Sequence, residues 1–137
     1  MTESVAPRHR GSRPTPGADA SRRGRPIEPI PDLTGCCQVT TTLPDQAAAD
    51  RLASVLVNER LAACAQVLCP VSSTYRWQGT IEHSTECYCH LKTTVARLPA
   101  LKARIRELHP YELPEVIALP IIGGDSDYLR WIEEAVS

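Results

Sequence analysis

A chain of 137 residues with 42% hydrophobic side chains has the length of one domain. Its formal net charge of −1 hides an asymmetry: residues 1–31 carry six arginines against three acids, and residues 32–137 carry nine basic against thirteen acidic side chains. An acidic body excludes the basic surface that nucleic-acid binding needs, and no run of the chain has transmembrane length, so neither nucleic acid nor membrane is expected as a partner.

Residues 1–31 also hold six of the twelve prolines and few apolar groups. They are expected to form a disordered N-terminal extension, because too little apolar surface is present to offset the entropy of ordering. The domain is then expected over 32–137. The six cysteines would suggest bridges in a secreted chain. The N-terminus has no apolar run, however, and Pro7, Gly11, Pro14, Pro16 and Gly17 would break an amphipathic targeting helix. Reduced thiols in a cytoplasmic protein are the expectation.

"CCQVTTTL", from Cys36, is β-branched and short, a strand. Pro44-Asp45 then opens a helix to about Arg60, with Ala49, Leu52, Ala53 and Leu56 on one face. Two extended runs follow, roughly 64–77 and 80–93, joined at "WQGT", where Gly79 supplies the turn. Pro70 cannot donate to a ladder and marks a bulge or an edge. Leu98, Leu101, Ile105 and Leu108 have the spacing of an amphipathic helix, with Pro99 in its first turn and His109-Pro110 at its end. "EVIALPII" reads as a strand, and "YLRWIEEAV" as a last helix capped by Asp125 or Ser126.

The order is β-α-β-β-α-β plus a terminal helix, an α+β, ferredoxin-like split βαβ pattern. Two crossover helices cover one face of such a sheet and leave the other in need of a partner. Val116, Ile117, Ala118, Leu119, Ile121 and Ile122 place apolar groups on both faces of the last strand. An oligomer follows from that exposed apolar surface.

"ERLAAC" (59–64), "YRWQGTIE" (75–82), "LKTT" (91–94), "HPYELPEVIALPI" (109–121) and "YLRWI" (128–132) together resemble the CutA divalent-cation-tolerance family over about 36–135. The resemblance implies a ferredoxin-like protomer in a tight homotrimer, tolerance of copper and other divalent ions, copper binding in some members, no enzymatic activity and no organic cofactor. The trimer architecture also resembles the nitrogen-signalling PII proteins, which raises a rival function by analogy. In that reading the chain is a signalling or scaffold module whose intersubunit clefts take a small metabolite or a protein partner. The chain departs from the family at Gln66, at Cys69-Pro70 where Pro-Gly is common, and at Cys87, Tyr88, Cys89 and His90 where aliphatics are common.

Cys64 matches the family motif and is the first thiol to link to copper; packed beside Ala62 and Ala63 it also reads as core. Cys69 lies at the expected kink, where a thiol is reachable. In a strand, Cys87 and Cys89 share one face, while Glu86, Tyr88, His90 and Lys92 share the other. The two thiols either share a soft ion or fill the core as small apolar groups. Cys36 and Cys37, adjacent and on opposite faces, read as strand filling. His109, near Tyr111, Glu112 and Glu115, is either a metal ligand or a helix-terminal residue that suits the dipole. Lys92, with Tyr75, Trp77, Tyr111, Glu112, Glu115 and Trp131, forms the candidate intersubunit cleft. A lysine on an apolar strand needs a partner, and Glu86, Glu112 and Glu115 are the available acids. Tyr111 is expected to pack between subunits. Copper or another divalent ion is the expected ligand.

Overall fold

The structure, a computed structural model, describes residues 34–137; the expected disordered extension, 1–31, lies outside the described residues. The elements run β1 Cys36–Leu43, α1 Gln46–Asn58, β2 Cys64–Trp77, β3 Thr80–Thr94, a 3-10 turn Val95–Arg97, α2 Leu98–Leu108, β4 Ile117–Pro120 and α3 Ser126–Ala135. The sheet is antiparallel with strand order β2-β3-β1-β4. β1 and β2, the strands joined through α1, are therefore parallel and separated by β3.

Local chemistry sets the boundaries. Asp45 caps α1 by accepting from the Ala48 N–H at 2.8 Å, and Asp125 caps α3 by accepting from the Tyr128 N–H at 3.0 Å. α1 stops where Arg60 takes φ 59°, which lets the Leu61 and Ala62 N–H groups turn back to the Leu56 carbonyl. The hairpin turns on Gln78 and Gly79, at φ 46° and 80°. Two consecutive positive-φ residues give the turn whose twist matches the flanking strands.

Cys37, Val39, Leu43, Cys87, Cys89 and Leu91 face α1 and α2 and meet Ala49, Leu52, Leu56, Leu101 and Ile105 in the main core. Cys36 points the other way, and with Ala63, Ile132 and Val136 it holds α3 against one end of the opposite face. The remainder of that face lies outside both cores. Leu68, Ile117 and Leu119 on it are 58%, 47% and 54% exposed.

Two departures from expectation bear on function. The last strand is four residues rather than the eight of "EVIALPII", and all four are exposed. Pro120 is its last residue and Pro114 lies three residues before its start, and a proline has no N–H to donate to a ladder. The second departure is at Pro70. Cys69 and Pro70 together oppose the single residue Cys87, between the pairs Leu68↔Tyr88 and Val71↔Glu86. That is a β-bulge, and it shifts the alternation of β2 by one residue. Before it the even residues Cys64, Gln66 and Leu68 lie on the face away from α1 and α2. After it the odd residues Ser73, Tyr75 and Trp77 do. Cys69 and Cys87 are joined by a disulfide across the bulge, so the expectation that every thiol is reduced does not describe this structure. Adjacent strands at a bulge bring the two Cα atoms to 4.5 Å, inside bonding range.

Candidate functional site

The half-open sheet face carries the chemistry. At its α3 end, Cys64 pairs in register with Lys92. The Cys64 Sγ lies 3.7 Å from the Tyr128 hydroxyl, and the Tyr128 ring stacks obliquely on Trp131 with centroids 5.4 Å apart. The Cys64 contact, followed by partial burial, raises the Tyr128 hydroxyl above the usual phenol range. Lys92 Nζ donates to Gln66 Oε1 at 2.7 Å. The acid expected for Lys92 is thus an amide two residues beyond Cys64, and among the described residues no carboxylate pairs with this lysine. At the rim of a sheet the ammonium keeps part of its hydration, so one neutral acceptor suffices.

The cluster therefore joins Cys64, Gln66, Lys92, Tyr128 and Trp131. Sequence reasoning singled out Cys64, Lys92 and Trp131 and missed the other two as partners. Both had a signal: Gln66 shares the face of Cys64 by alternation, and Tyr128 lies three residues before Trp131 on one helix face.

Further along the same face, the Thr40 hydroxyl lies 2.9 Å from His90 Nδ1, and the His90 ring stacks on Tyr88 at 5.2 Å. Beyond them Thr42, Ser72, Ser73, Thr74, Tyr75, Tyr88 and Glu115 line a cleft of ≈ 380 Å³. The bulge explains how Tyr75 reaches this cleft: without the one-residue shift it would face the other way.

The expected site residues do not converge in one chain. Tyr75 and Glu115 share the hydroxyl-rich cleft, while Tyr111 and Glu112 border another with Arg106 and Glu107. Trp77 closes the hairpin, paired with Thr80, and Lys92 and Trp131 belong to the cysteine cluster. Tyr111 is already buried within its own chain, its ring 4.9 Å from that of His109.

Of the candidate metal ligands, Cys69 and Cys87 are joined by the disulfide while Cys64 and His109 lie apart from them, and among the described residues no group of three or more His, Cys, Asp or Glu side chains could hold an ion. His109 is buried, with Nε2 2.8 Å from the Thr42 carbonyl oxygen and Nδ1 accepting from the Tyr111 N–H at 3.1 Å. Those partners assign the proton to Nε2 and occupy both ring nitrogens. His109 thus ties the end of α2 to β1 and has no lone pair left for a metal. His109→Ala should destabilise the protein by about 1–3 kcal/mol, by stranding a buried carbonyl and a buried N–H. Urea unfolding measures the loss, and copper affinity should not change.

Cys89 is fully buried, and desolvation, with a smaller contribution from the Asp50 carboxylate, pushes its thiol up to about 11. At neutral pH it is a protonated core residue, not a thiolate. Cys36 and Cys37 are buried as well, whereas Cys64 is half-buried. Of the free thiols Cys64 is the most accessible, and it sits beside a hydroxyl and a cation.

Residues 37–135 match the family model described as CutA1 divalent ion tolerance protein. A divalent-cation tolerance protein CutA of Thermus thermophilus is 44% identical over 96 residues, covering 70% of this chain and 93% of its own. An Escherichia coli protein of the same description is 40% identical over 103 residues, covering 75% of this chain and 92% of its own. Among solved structures, CutA of Xylella fastidiosa superposes with a TM-score of 0.73 at 41% identity, over 75% of this chain and 99% of the other. CutA1 of Oryza sativa gives 0.74 at 34% identity, over 78% of this chain and 98% of the other. The relatives are named for ion tolerance rather than for a reaction, and one from Archaeoglobus fulgidus is described as periplasmic. No helix among the described residues is long and apolar enough to cross a membrane. The mixed α+β fold, the antiparallel sheet and the family model over residues 37–135 agree: this chain belongs to the CutA1 divalent ion tolerance family.

Proposed function

We propose that residues 32–137 form a ferredoxin-like protomer of a cytoplasmic homotrimer that binds copper and supports tolerance to divalent ions, without catalysis or an organic cofactor. The observation that carries the copper assignment is Cys64: half-buried, hydroxyl-bonded to Tyr128 and in register with Lys92 at the rim of the uncovered sheet face. A soft sulfur ligand suits copper. Because no third metal-binding side chain converges on it within the described part of one chain, further ligands would come from other copies meeting at that face.

Assembly has its own support. β3 pairs with β1 only from Cys87 onward, so the hairpin between Val71 and Glu86 projects roughly 20 Å beyond the central strands. Tyr75 and Trp77 lie on the side of this arm that faces away from α1 and α2, and Leu68, Ile117 and Leu119 leave apolar area exposed on the sheet. An arm and a bare sheet face on one protomer suit wrapping around neighbours.

Titration of the reduced protein with Cu(I), Cu(II) and Zn(II) tests the reading. Cys64→Ser should weaken copper binding by about tenfold or more, and an unchanged affinity would remove Cys64 from the site. The hydroxyl-rich cleft at Tyr75, Tyr88 and Glu115 favours a second reading, in which a small polar metabolite is the ligand. A three-chain mass with no measurable metal binding would select it.

A further inference from the structure

The bulge in β2 holds chemistry that the family resemblance does not account for. Cys69 and Cys87 form the one disulfide among the described residues. The bond lies on the helix-facing side of the sheet, opposite the face assigned to assembly. Cys69 is half-buried next to exposed Pro70, while Cys87 behind it is 4% exposed. Cys69 is therefore the more accessible of the two cysteines.

We propose that Cys69 and Cys87 are a redox-gated two-thiolate site for monovalent copper, closed as the disulfide and opened by reduction. The proposal rests on the metal-handling reading above and deepens it.

The step needs a dithiol reductant. One of its thiolates attacks the accessible Cys69 sulfur, the S–S bond breaks and Cys87 leaves as a thiolate. The second thiol of the reductant then displaces Cys69, so two electrons and two protons pass to the cysteines and the reductant departs as its own disulfide. Cu(I) afterwards replaces both thiol protons, which go to solvent, and bridges the two sulfurs without changing oxidation state.

Geometry selects the ion. Sulfurs on adjacent strands, with Cα atoms 4.5 Å apart, can separate by side-chain rotation to admit one two-coordinate ion. Soft thiolates favour Cu(I). Zinc requires four ligands, and among the described residues no third His, Cys, Asp or Glu joins the pair. Cys89, two residues along on the same face, is fully enclosed in the main core. The surrounding redox poise thus decides whether this segment is a covalent staple or a copper clasp.

The test uses the full chain carrying Cys64→Ser, which removes the thiol of the main reading. One portion is treated with a dithiol and desalted anaerobically, and the other is left oxidised. Both compete for Cu(I) against a chromogenic chelator, with circular dichroism and light scattering as folding controls. The reduced form is expected to take about one Cu(I) per chain, and the oxidised form none. Adding either Cys69→Ser or Cys69→Ala should abolish uptake by the reduced form. Uptake by the oxidised form, no uptake by the reduced form, or retention after both Cys69 substitutions overturns the proposal. Failure here, with wild-type copper binding still lost on Cys64→Ser, leaves the Cys64 reading standing. Uptake here, with wild-type affinity indifferent to Cys64, does the reverse.

Discussion

Replacing Ile117 and Leu119 together by aspartate is expected to convert a three-chain assembly into single folded chains. Both residues lie on edge strand β4, on the sheet face away from α1 and α2, and both are about half exposed in the isolated chain. Within one chain the change touches no packed core, and such surface substitutions usually stay within about 0.5 kcal/mol. In the proposed trimer the same change places carboxylates in an apolar contact on every protomer. An unpaired charge buried there costs several kcal/mol. Light scattering at micromolar concentration should show a three-chain mass for the wild type and a one-chain mass for the variant, with the same far-UV dichroism. A wild type that already runs as one chain would sink the assembly reading, and a variant that keeps three chains would move the interface off β4. The contrast with His109→Ala is informative, because that change is expected to weaken the protomer itself.

The fold was legible because its signals are local. Asp45 and Asp125 cap their helices, Gly79 turns the hairpin, and Leu101 and Ile105 face the core, each through interactions within a few residues. Period-two alternation also separated Cys87 and Cys89 from Tyr88, His90 and Lys92 correctly. The candidate site was read less well, since its contacts join distant segments. Nothing near Lys92 in the chain announces that its partner is Gln66, or that Tyr128 bonds Cys64 across 64 positions. The aromatic and acidic residues grouped as one cleft are spread by the fold over several places. Pro70 marked a bulge or an edge from sequence, but its consequences required the register: a reversed alternation beyond it and a disulfide across it. Tyr75 and Trp77 owe their orientation to that single extra residue.

The disulfide should also govern how firmly the hairpin is held. Cys69 and Cys87 are separated by 18 positions, and closing a loop of that length in the unfolded chain corresponds to roughly 3 kcal/mol of stabilisation. For about a hundred ordered residues this amounts to roughly 10 °C or more in Tm. At fixed protein concentration the oxidised wild type is therefore expected to melt well above both the dithiol-treated wild type and the Cys69→Ala/Cys87→Ala variant. The variant serves as its own control, because a reductant that acts through this bond must leave its Tm unmoved. An equal shift in both proteins would assign the effect elsewhere, and no shift in the wild type would mean that the staple is absent in solution. The bond sits at the base of the projecting arm, between the Leu68↔Tyr88 and Val71↔Glu86 pairs, so its loss loosens the arm before the central strands. Cu(I) bound to the reduced pair closes the same loop and should recover part of the lost Tm by stabilising the native state in proportion to its affinity. Zinc, lacking further ligands there, should recover none of it.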